Sequence, residues 1–240
     1  MELMATCFRS SGYCAHEMSI FEPVEQTGDV YFSKQPNDIK QLGHIFARDD
    51  TLHIIYMGRD PRAVITSKHK ASPDQYFCNY RVWSECDQAS QRYAGHPRFL
   101  PLRYEDLVDR PDALQDLIKA HFDFLDYRHP FSEYQNFAAP SEAASRAMNG
   151  LREVNRASLD KWRGHLPHLA MQLRLHPELV DDLIRLGYEP DRNWLVELEG
   201  VEPISYPCRY PERKAYLKEW EKNLRVYLKS RRYLKQRNLP

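Results

Sequence analysis

Two polar side chains between residues 52 and 67 have the types and the spacing to bind one anion. Arg59 follows a short apolar run that ends at Gly58, and Ser67 lies eight positions after that arginine. A guanidinium binds phosphate through two parallel hydrogen bonds, and a hydroxyl adds a further donor. The pair therefore indicates a phosphate site; the alternative is that Arg59 merely pairs with a surface acid such as the adjacent Asp60.

The elements around this pair are predicted to be a buried strand, a tight turn and a helix. Residues 52–57 are mostly apolar without strict alternation, which is typical of a parallel strand covered on both faces. Pro61 fits the first turn of a helix, and Asp60 fits the N-cap before it. A helix over 62–69 would then direct free N–H groups and its positive dipole end toward the anion.

Two further polar residues follow predicted strands. Lys34 comes after a strand over 30–33, and Tyr104 comes after a strand over 99–103. Strands that alternate with amphipathic helices favour an α/β fold, in which a parallel sheet is flanked by helices. Ligands of such sheets bind beyond the carboxyl ends of the strands, so Lys34, Arg59 and Tyr104 are expected to face one shared site.

The remaining elements follow from periodicity and from capping residues. Residues 70–74 are polar and are interpreted as a lid or substrate loop. Helices are predicted over 1–9, 37–47, 76–93, 111–122, 141–149 and 177–187.

Four segments of the chain resemble, in the expected order, sulfotransferases that use 3′-phosphoadenylyl sulfate (PAPS). Arg-Asp-Pro-Arg at 59–62, with Ser67, is similar to the segment that binds the 3′-phosphate of PAPS. The other three segments are Phe-Ser-Lys-Gln-Pro at 32–36, Leu-Arg-Tyr-Glu-Asp-Leu at 102–107 and Arg-Ala-Ser-Leu-Asp-Lys-Trp-Arg at 156–163. The resemblance covers roughly residues 1–190 and implies a P-loop NTPase-like sulfotransferase fold.

The resemblance implies a role for each matching residue, and each also has a structural alternative. Arg59 and Ser67 would hold the 3′-phosphate, with Arg156 near it, and Tyr104 would stack on the adenine. Lys34 would stabilise the bridging oxygen from which the sulfuryl group departs. The structural alternatives are that Lys34 is simply exposed at a strand end, that Tyr104 is a core residue, and that Arg156 is a basic residue at the start of a helix.

Glu22 is the candidate general base, because carbohydrate-type members have a similar Phe-Glu-Pro segment. A general base must reach the acceptor hydroxyl and take its proton as attack proceeds. His16 and Glu17 are rivals for this role, and a simple loop carboxylate is the alternative. Members of the cytosolic type have a histidine two positions after the lysine, where this chain has Pro36.

The glycine-rich loop that cradles the 5′-phosphosulfate in this family does not occur in the sequence. The chain has nine glycines and no run similar to G-x-x-x-x-G-K-[ST]. The resemblance places this loop upstream of Met1, so we interpret the sequence as N-terminally truncated. The alternatives are a degenerate relative and a different family. As printed, the chain is expected to be a poor or inactive enzyme.

Composition excludes several function classes. The 34 basic and 34 acidic residues give no nucleic-acid signature. The five cysteines contain no C-x-x-C pair and the histidines have no ligand spacing, so no metal is expected. There is no signal peptide and no apolar run of transmembrane length, which together with reduced thiols indicates a cytoplasmic protein.

The C-terminal region differs in charge from the rest of the chain. Residues 211–240 contain ten Lys or Arg and three Asp or Glu, with apolar residues at helical spacing. We therefore predict an α/β domain over 1–195 and an extension over 196–240 that carries a basic amphipathic helix. This helix either packs on its own domain or contacts anionic lipid, a polyanion or a partner.

These observations predict a PAPS-dependent sulfotransferase that acts on a hydroxyl, with a carbohydrate or another small molecule as acceptor. The second hypothesis is a non-catalytic sulfotransferase-like protein that works through its basic tail. A third is a P-loop kinase.

Overall fold

A computed structural model describes residues 2–10, 12–13, 19–21, 30–69, 72–140, 154, 156–212 and 216–240. The chain divides into two compact units that are discontinuous in sequence. Unit 1 comprises Met1–Met57, Ala89–Asn155 and Ala215–Pro240, and unit 2 comprises Gly58–Gln88 and Arg156–Lys214.

Helices and short strands are interspersed over residues 2–103, and helices and 3₁₀ turns follow from Tyr104 to Gln236. The strands are β1 Gly12–Tyr13, β2 Tyr31–Phe32, β3 Ile54–Gly58, β4 Lys68–His69, β5 Ser72–Tyr76 and β6 Phe99–Arg103. The α-helices are α1 Glu2–Cys7, α2 Gly43–Phe46, α3 Pro61–Ile65, α4 Tyr80–Gln91, α5 Tyr104–Asp109, α6 Pro111–His121, α7 Tyr134–Phe137, α8 Leu166–Leu175, α9 Leu179–Arg185 and α10 Tyr216–Gln236. The 3₁₀ turns are Pro36–Lys40, Phe131–Glu133, Arg156–Ser158, Lys161–His165 and Asn193–Leu198.

Within the described residues, the strands form three two-stranded pairs. Strands β1 and β2 pair in parallel, β3 pairs with β6, and β4 and β5 pair antiparallel. The predicted α/β class, with parallel strands flanked by helices and a basic helix at the C-terminus, is confirmed.

Unit 1 is built around an apolar cluster that joins α1, β6 and α6. Phe8 and Phe131 contact edge to face, with ring centroids 5.8 Å apart. The buried amide of Gln115 donates to the carbonyl of His129 and accepts from the N–H of Phe131, both at 2.8 Å. Satisfied polar groups of this kind avoid the cost of burying them unpaired. The buried members of the cluster are Cys7, Phe8, Leu100, Leu102, Leu114, Ile118, Phe122, Leu125 and Phe131.

Unit 2 has its own apolar core, which joins α3, α4, α8 and α9. Asn79 explains where α4 begins, because its side-chain oxygen accepts a hydrogen bond from the N–H of Val82 at 3.1 Å and so caps the helix. The predicted start at residue 76 was therefore wrong by four residues. The buried members are Ala63, Ile65, Cys78, Tyr80, Val82, Trp83, Trp162, Leu169, Leu179, Val180, Leu183 and Trp194.

The segment after α3 differs from its prediction. The helix predicted over 62–69 ends at Ile65, and a β-hairpin formed by β4 and β5 replaces its second half and most of the predicted 70–74 loop. Val64, Ile65 and Thr66 are β-branched, which lowers helix propensity. The Thr66 hydroxyl also donates to the carbonyl of Arg62 at 2.6 Å, at the point where the helix stops.

The other predicted helices have mixed outcomes. Those over 111–122 and 177–187 are confirmed as α6 and α9, and the one over 1–9 is confirmed as the shorter α1. The helix predicted over 37–47 is divided into a 3₁₀ turn and α2. The helix predicted over 141–149 lies outside the described residues.

Candidate anion-binding site

Arg59 emerges at the end of β3 and contacts a distant segment of unit 2. Its Nη2 donates to the backbone carbonyl of Ser158 at 2.7 Å, across 99 positions of sequence. Ser158 ends the 3₁₀ turn that Arg156 begins. Two of the four segments that resemble sulfotransferases thus meet in unit 2.

Asp60 caps the helix that follows, as the sequence predicts. Its Oδ1 accepts from the N–H of Arg62 at 2.8 Å, and Pro61 occupies the first helical position. The carboxylate therefore occupies the start of α3, and the N–H of Arg62 is not open to a ligand. The expectation that this helix offers free N–H groups to an anion was wrong for that group, because Asp60 is both cap and counter-charge.

Arg62 is the most enclosed charged group near this site, and sequence reasoning did not single it out. It is 4% exposed, and its guanidinium pairs with Asp60 at 2.7 Å and with Glu189 at 2.5 Å. The same guanidinium lies 4.2 Å from the ring centroid of Trp162 and 4.9 Å from that of Trp194. Two carboxylates and two aromatic faces make Arg62 a structural centre of unit 2 rather than a ligand-facing group.

Ser67 and Arg156 are both exposed in unit 2. Ser67 lies beyond the end of α3, not within a helix as predicted, and its carbonyl accepts from the N–H of Phe77 at 2.8 Å. This bond fixes the backbone at Ser67 while its side chain faces solvent. Both residues are thus accessible to a solute.

The other predicted site residues belong to unit 1 or are not described. Lys34 is exposed two residues after β2, and Tyr104 is half-buried as the first residue of α5, directly after β6. Their positions at strand ends are as predicted, and their convergence with Arg59 stays a prediction. Glu22 and its rivals His16 and Glu17 lie outside the described residues.

Unit 2 also contains a small cavity that the sequence did not indicate. It has a volume of about 150 Å³, and its lining contains none of the predicted site residues. Burial lowers the pKa of His168, which lines it, to about 4, and the imidazole stacks on the Tyr76 ring with centroids 3.7 Å apart. Glu212 on its wall accepts from Gln172 at 2.8 Å. The cavity is lined by His168, Met171, Gln172, Leu175, Ser205, Tyr206, Cys208, Tyr210, Pro211 and Glu212.

The described part of the chain contains no candidate metal site and no candidate membrane-spanning helix. No group of three or more His, Cys, Asp or Glu side chains there is arranged to hold a metal ion. None of the helices described there is both long and apolar enough to cross a membrane.

Comparison with known proteins gives a distant structural likeness. No protein-family model and no curated protein matches the chain. Among solved structures, the chain is similar to the sulfotransferase domain from the Synechococcus PCC 7002 olefin synthase, with 20% sequence identity and a TM-score of 0.40. The match covers 56% of this chain and spans about half (51%) of the length of that domain.

Proposed function

We propose that the protein is a sulfotransferase-type protein whose unit 2 binds the 3′-phosphate of PAPS. The observation that carries the proposal is the hydrogen bond from Arg59 to the carbonyl of Ser158. It joins the segment that resembles the 3′-phosphate site to the segment that resembles the late nucleotide-contacting one. Neither segment alone is specific for a nucleotide site, and their contact supports a shared role in binding the nucleotide.

The donor chemistry of unit 2 fits a phosphate. Arg59 and Arg156 supply two guanidinium groups, and Ser67 supplies an exposed hydroxyl. Charge-assisted hydrogen bonds to phosphate are about twice as strong as neutral ones, and guanidinium is the side chain best shaped for them. Binding of a dianionic 3′-phosphate here would distinguish PAPS from ATP, which has a free 3′-hydroxyl.

The proposed reaction is transfer of the sulfuryl group to a hydroxyl of a carbohydrate or another small acceptor. The bond from sulfur to the 5′-phosphate oxygen of PAPS breaks, and a bond from sulfur to the acceptor oxygen forms. Lys34 is proposed to stabilise the oxygen that leaves, Glu22 to take the acceptor proton and Tyr104 to stack on the adenine. These three roles rest on the resemblance of their segments.

The test is calorimetric titration with 3′,5′-adenosine bisphosphate, the product left after transfer. Arg59→Ala is expected to weaken binding at least about tenfold, because a hydrogen bond to a charged group contributes roughly 1.5–3 kcal/mol. Ser67→Ala and Arg156→Ala change exposed side chains and are expected to weaken binding without loss of structure.

Arg192→Ala is the matched control, since Arg192 is an exposed arginine of unit 2 that pairs with Asp181 at 2.7 Å. It should bind as the parent does. Equal affinity of the parent for ATP and for 3′,5′-adenosine bisphosphate would overturn the proposal and favour a kinase.

A non-catalytic role is the second candidate, and the exposed apolar side chains of α10 favour it. Trp220, Leu224, Tyr227 and Leu228 on this helix are 69%, 45%, 49% and 56% exposed, and a contiguous exposed apolar patch marks an interaction surface. A protein that binds a partner or a membrane through α10 and transfers no sulfuryl group from PAPS to any acceptor would support this candidate.

A further inference from the structure

Helix α10 is held to unit 1 by one face of its C-terminal half. Ser230 and Tyr233 are 1% and 3% exposed, and the Tyr233 hydroxyl donates to Oδ2 of Asp49 at 2.6 Å. The Arg237 guanidinium lies 3.7 Å from the centroid of the Tyr233 ring. These contacts fix the orientation of the helix and therefore decide which face remains in solvent.

The face in solvent carries large apolar side chains. Trp220, Leu224, Tyr227 and Leu228 are 69%, 45%, 49% and 56% exposed. Their spacing of four, seven and eight positions from the first residue places them within an arc of about 100° on a helix of 3.6 residues per turn. We call these four residues the apolar stripe.

Basic residues continue and border the apolar stripe. Arg231 and Lys235 are exposed and follow it along the same face at intervals of four residues, and Arg225 and Arg232 lie beside it. Residues 216–240 contain eight basic and two acidic residues, although the whole chain is neutral. The surface therefore combines apolar area with positive charge.

This combination matches the surface of an anionic bilayer more closely than a second copy of the chain. Tryptophan and tyrosine favour the boundary between headgroups and acyl chains, leucine enters the apolar layer, and lysine and arginine attract anionic headgroups. Two copies paired in parallel through the apolar stripe would place Arg231 and Lys235 of one against the same residues of the other, where like charges repel.

We propose that α10 binds the protein peripherally to anionic bilayers, with the apolar stripe entering the headgroup region and the flanking basic residues contacting anionic lipid. The helix lies in the plane of the surface, as amphipathic helices of this composition do. This inference concerns side chains of unit 1 and does not depend on nucleotide binding in unit 2.

The test is co-sedimentation of the full chain with vesicles of phosphatidylcholine containing roughly one-third phosphatidylserine, beside vesicles of phosphatidylcholine alone. The parent should bind the anionic vesicles and not the neutral ones, and added salt should weaken binding because it screens exposed charges. Leu224→Glu with Leu228→Glu should abolish binding. Arg231→Gln with Arg232→Gln should weaken it by roughly thirtyfold, given the attraction of each basic residue to an anionic surface.

Leu117→Glu is the matched control, because Leu117 is a leucine of similar exposure (48%) on helix α6 of the same unit. It should bind vesicles as the parent does. Circular dichroism spectra and thermal unfolding of each variant separate loss of folding from loss of lipid binding.

Three outcomes would overturn the proposal. The first is equal binding of the parent to neutral and anionic vesicles, and the second is equal loss of binding in the Leu117→Glu control. The third is a parent chain that binds no vesicles and sediments as a dimer, when the variant with Leu224→Glu and Leu228→Glu sediments as a monomer.

Discussion

At the scale of single residues, the two arginines of the Arg-Asp-Pro-Arg segment have opposite environments. Arg59 is half-buried and reaches a backbone carbonyl, whereas Arg62 is enclosed by Asp60, Glu189 and two tryptophan rings. Removing one partner from a buried charge pair leaves the other charge uncompensated, and this costs more than the pair itself contributes. Arg62 should therefore be required for stability rather than for ligand binding.

We predict that Arg62→Met lowers the free energy of unfolding by about 3–5 kcal/mol. Methionine fills the space between the rings but leaves Asp60 and Glu189 without their cation. Urea denaturation followed by tryptophan fluorescence measures the change.

Arg163→Met is the control for this prediction, since the Arg163 guanidinium also lies over the Trp162 ring, 4.4 Å from its centroid, and pairs with Glu197 while its side chain is 46% exposed. Exposed pairs contribute roughly 0–1 kcal/mol, so this variant should lose little stability. Equal losses in the two variants would contradict a special role for Arg62.

The residues around Arg62 show which features of the site could be predicted from the sequence and which could not. The sequence predicted Asp60 as a helix cap and Pro61 at the first helical position, because these preferences depend only on neighbouring backbone groups. It did not predict that Asp60 and Arg62 pair, or that Glu189 completes the site from 127 positions away. A contact at that separation has no local spacing that would reveal it.

At the scale of elements, predictions were best for segments with strong capping and apolar periodicity. Strand β6 and helices α6 and α9 match their predicted ranges closely. The hairpin of β4 and β5 was missed, since Ser72, Pro73, Asp74 and Gln75 have the composition of a loop. Its pairing depends on tertiary contacts such as the hydrogen bond from the N–H of Tyr76 to the carbonyl of Pro207 at 2.9 Å.

A second prediction, at the scale of elements, concerns the hydrogen bond that holds helix α10 to Asp49. Asp49 is buried and accepts hydrogen bonds from the Thr51 N–H at 2.9 Å and from the Tyr233 hydroxyl at 2.6 Å. Tyr233→Phe removes one of these bonds to a charged group, which contributes roughly 1.5–3 kcal/mol. We expect faster amide hydrogen exchange over residues 226–237 and faster tryptic cleavage after Arg231 and Arg232.

Tyr227→Phe is the matched change for this prediction, because Tyr227 is 49% exposed on the same helix. Its exchange rates should equal those of the parent. Unchanged protection in Tyr233→Phe would mean that apolar packing of Leu234 and its neighbours, rather than the bond to Asp49, holds the helix.

At the scale of the whole molecule, sequence predicted the α/β class but not the division into two discontinuous units. Long-range contacts define unit 2, such as the Tyr80 hydroxyl that donates to Asp182 at 2.6 Å across 102 positions. The predicted boundary at residue 195 stays a prediction; it rests on charge and composition, which report on solvent exposure and not on which distant segments contact each other.

The balance of charge also makes the response to acid a property of the whole molecule. The chain has 34 basic and 34 acidic residues and ten histidines, so acidification adds positive charge throughout. His168 is the histidine that the described part of the chain buries, at 1% exposure. Its ring is stacked on Tyr76, and burial holds its pKa at about 4, below the value of about 6.5 for an unfolded histidine.

This difference in pKa predicts a specific loss of stability between about pH 6.5 and pH 4. In this window the unfolded chain binds a proton at His168 and the folded chain does not, so stability falls as the pH falls. The contribution of His168 is fully present above the unfolded pKa, and about 3 kcal/mol of it is lost once the pH reaches the folded pKa. His168→Phe keeps a ring against Tyr76 without a titrating group. The difference in unfolding free energy between pH 7 and pH 4 should therefore be smaller in this variant by about that amount.

The control is His129→Phe, which replaces a more exposed imidazole stacked on Phe137 with centroids 3.8 Å apart. If His168→Phe retains the full acid sensitivity of the parent, then groups other than this buried imidazole govern how the molecule responds to pH.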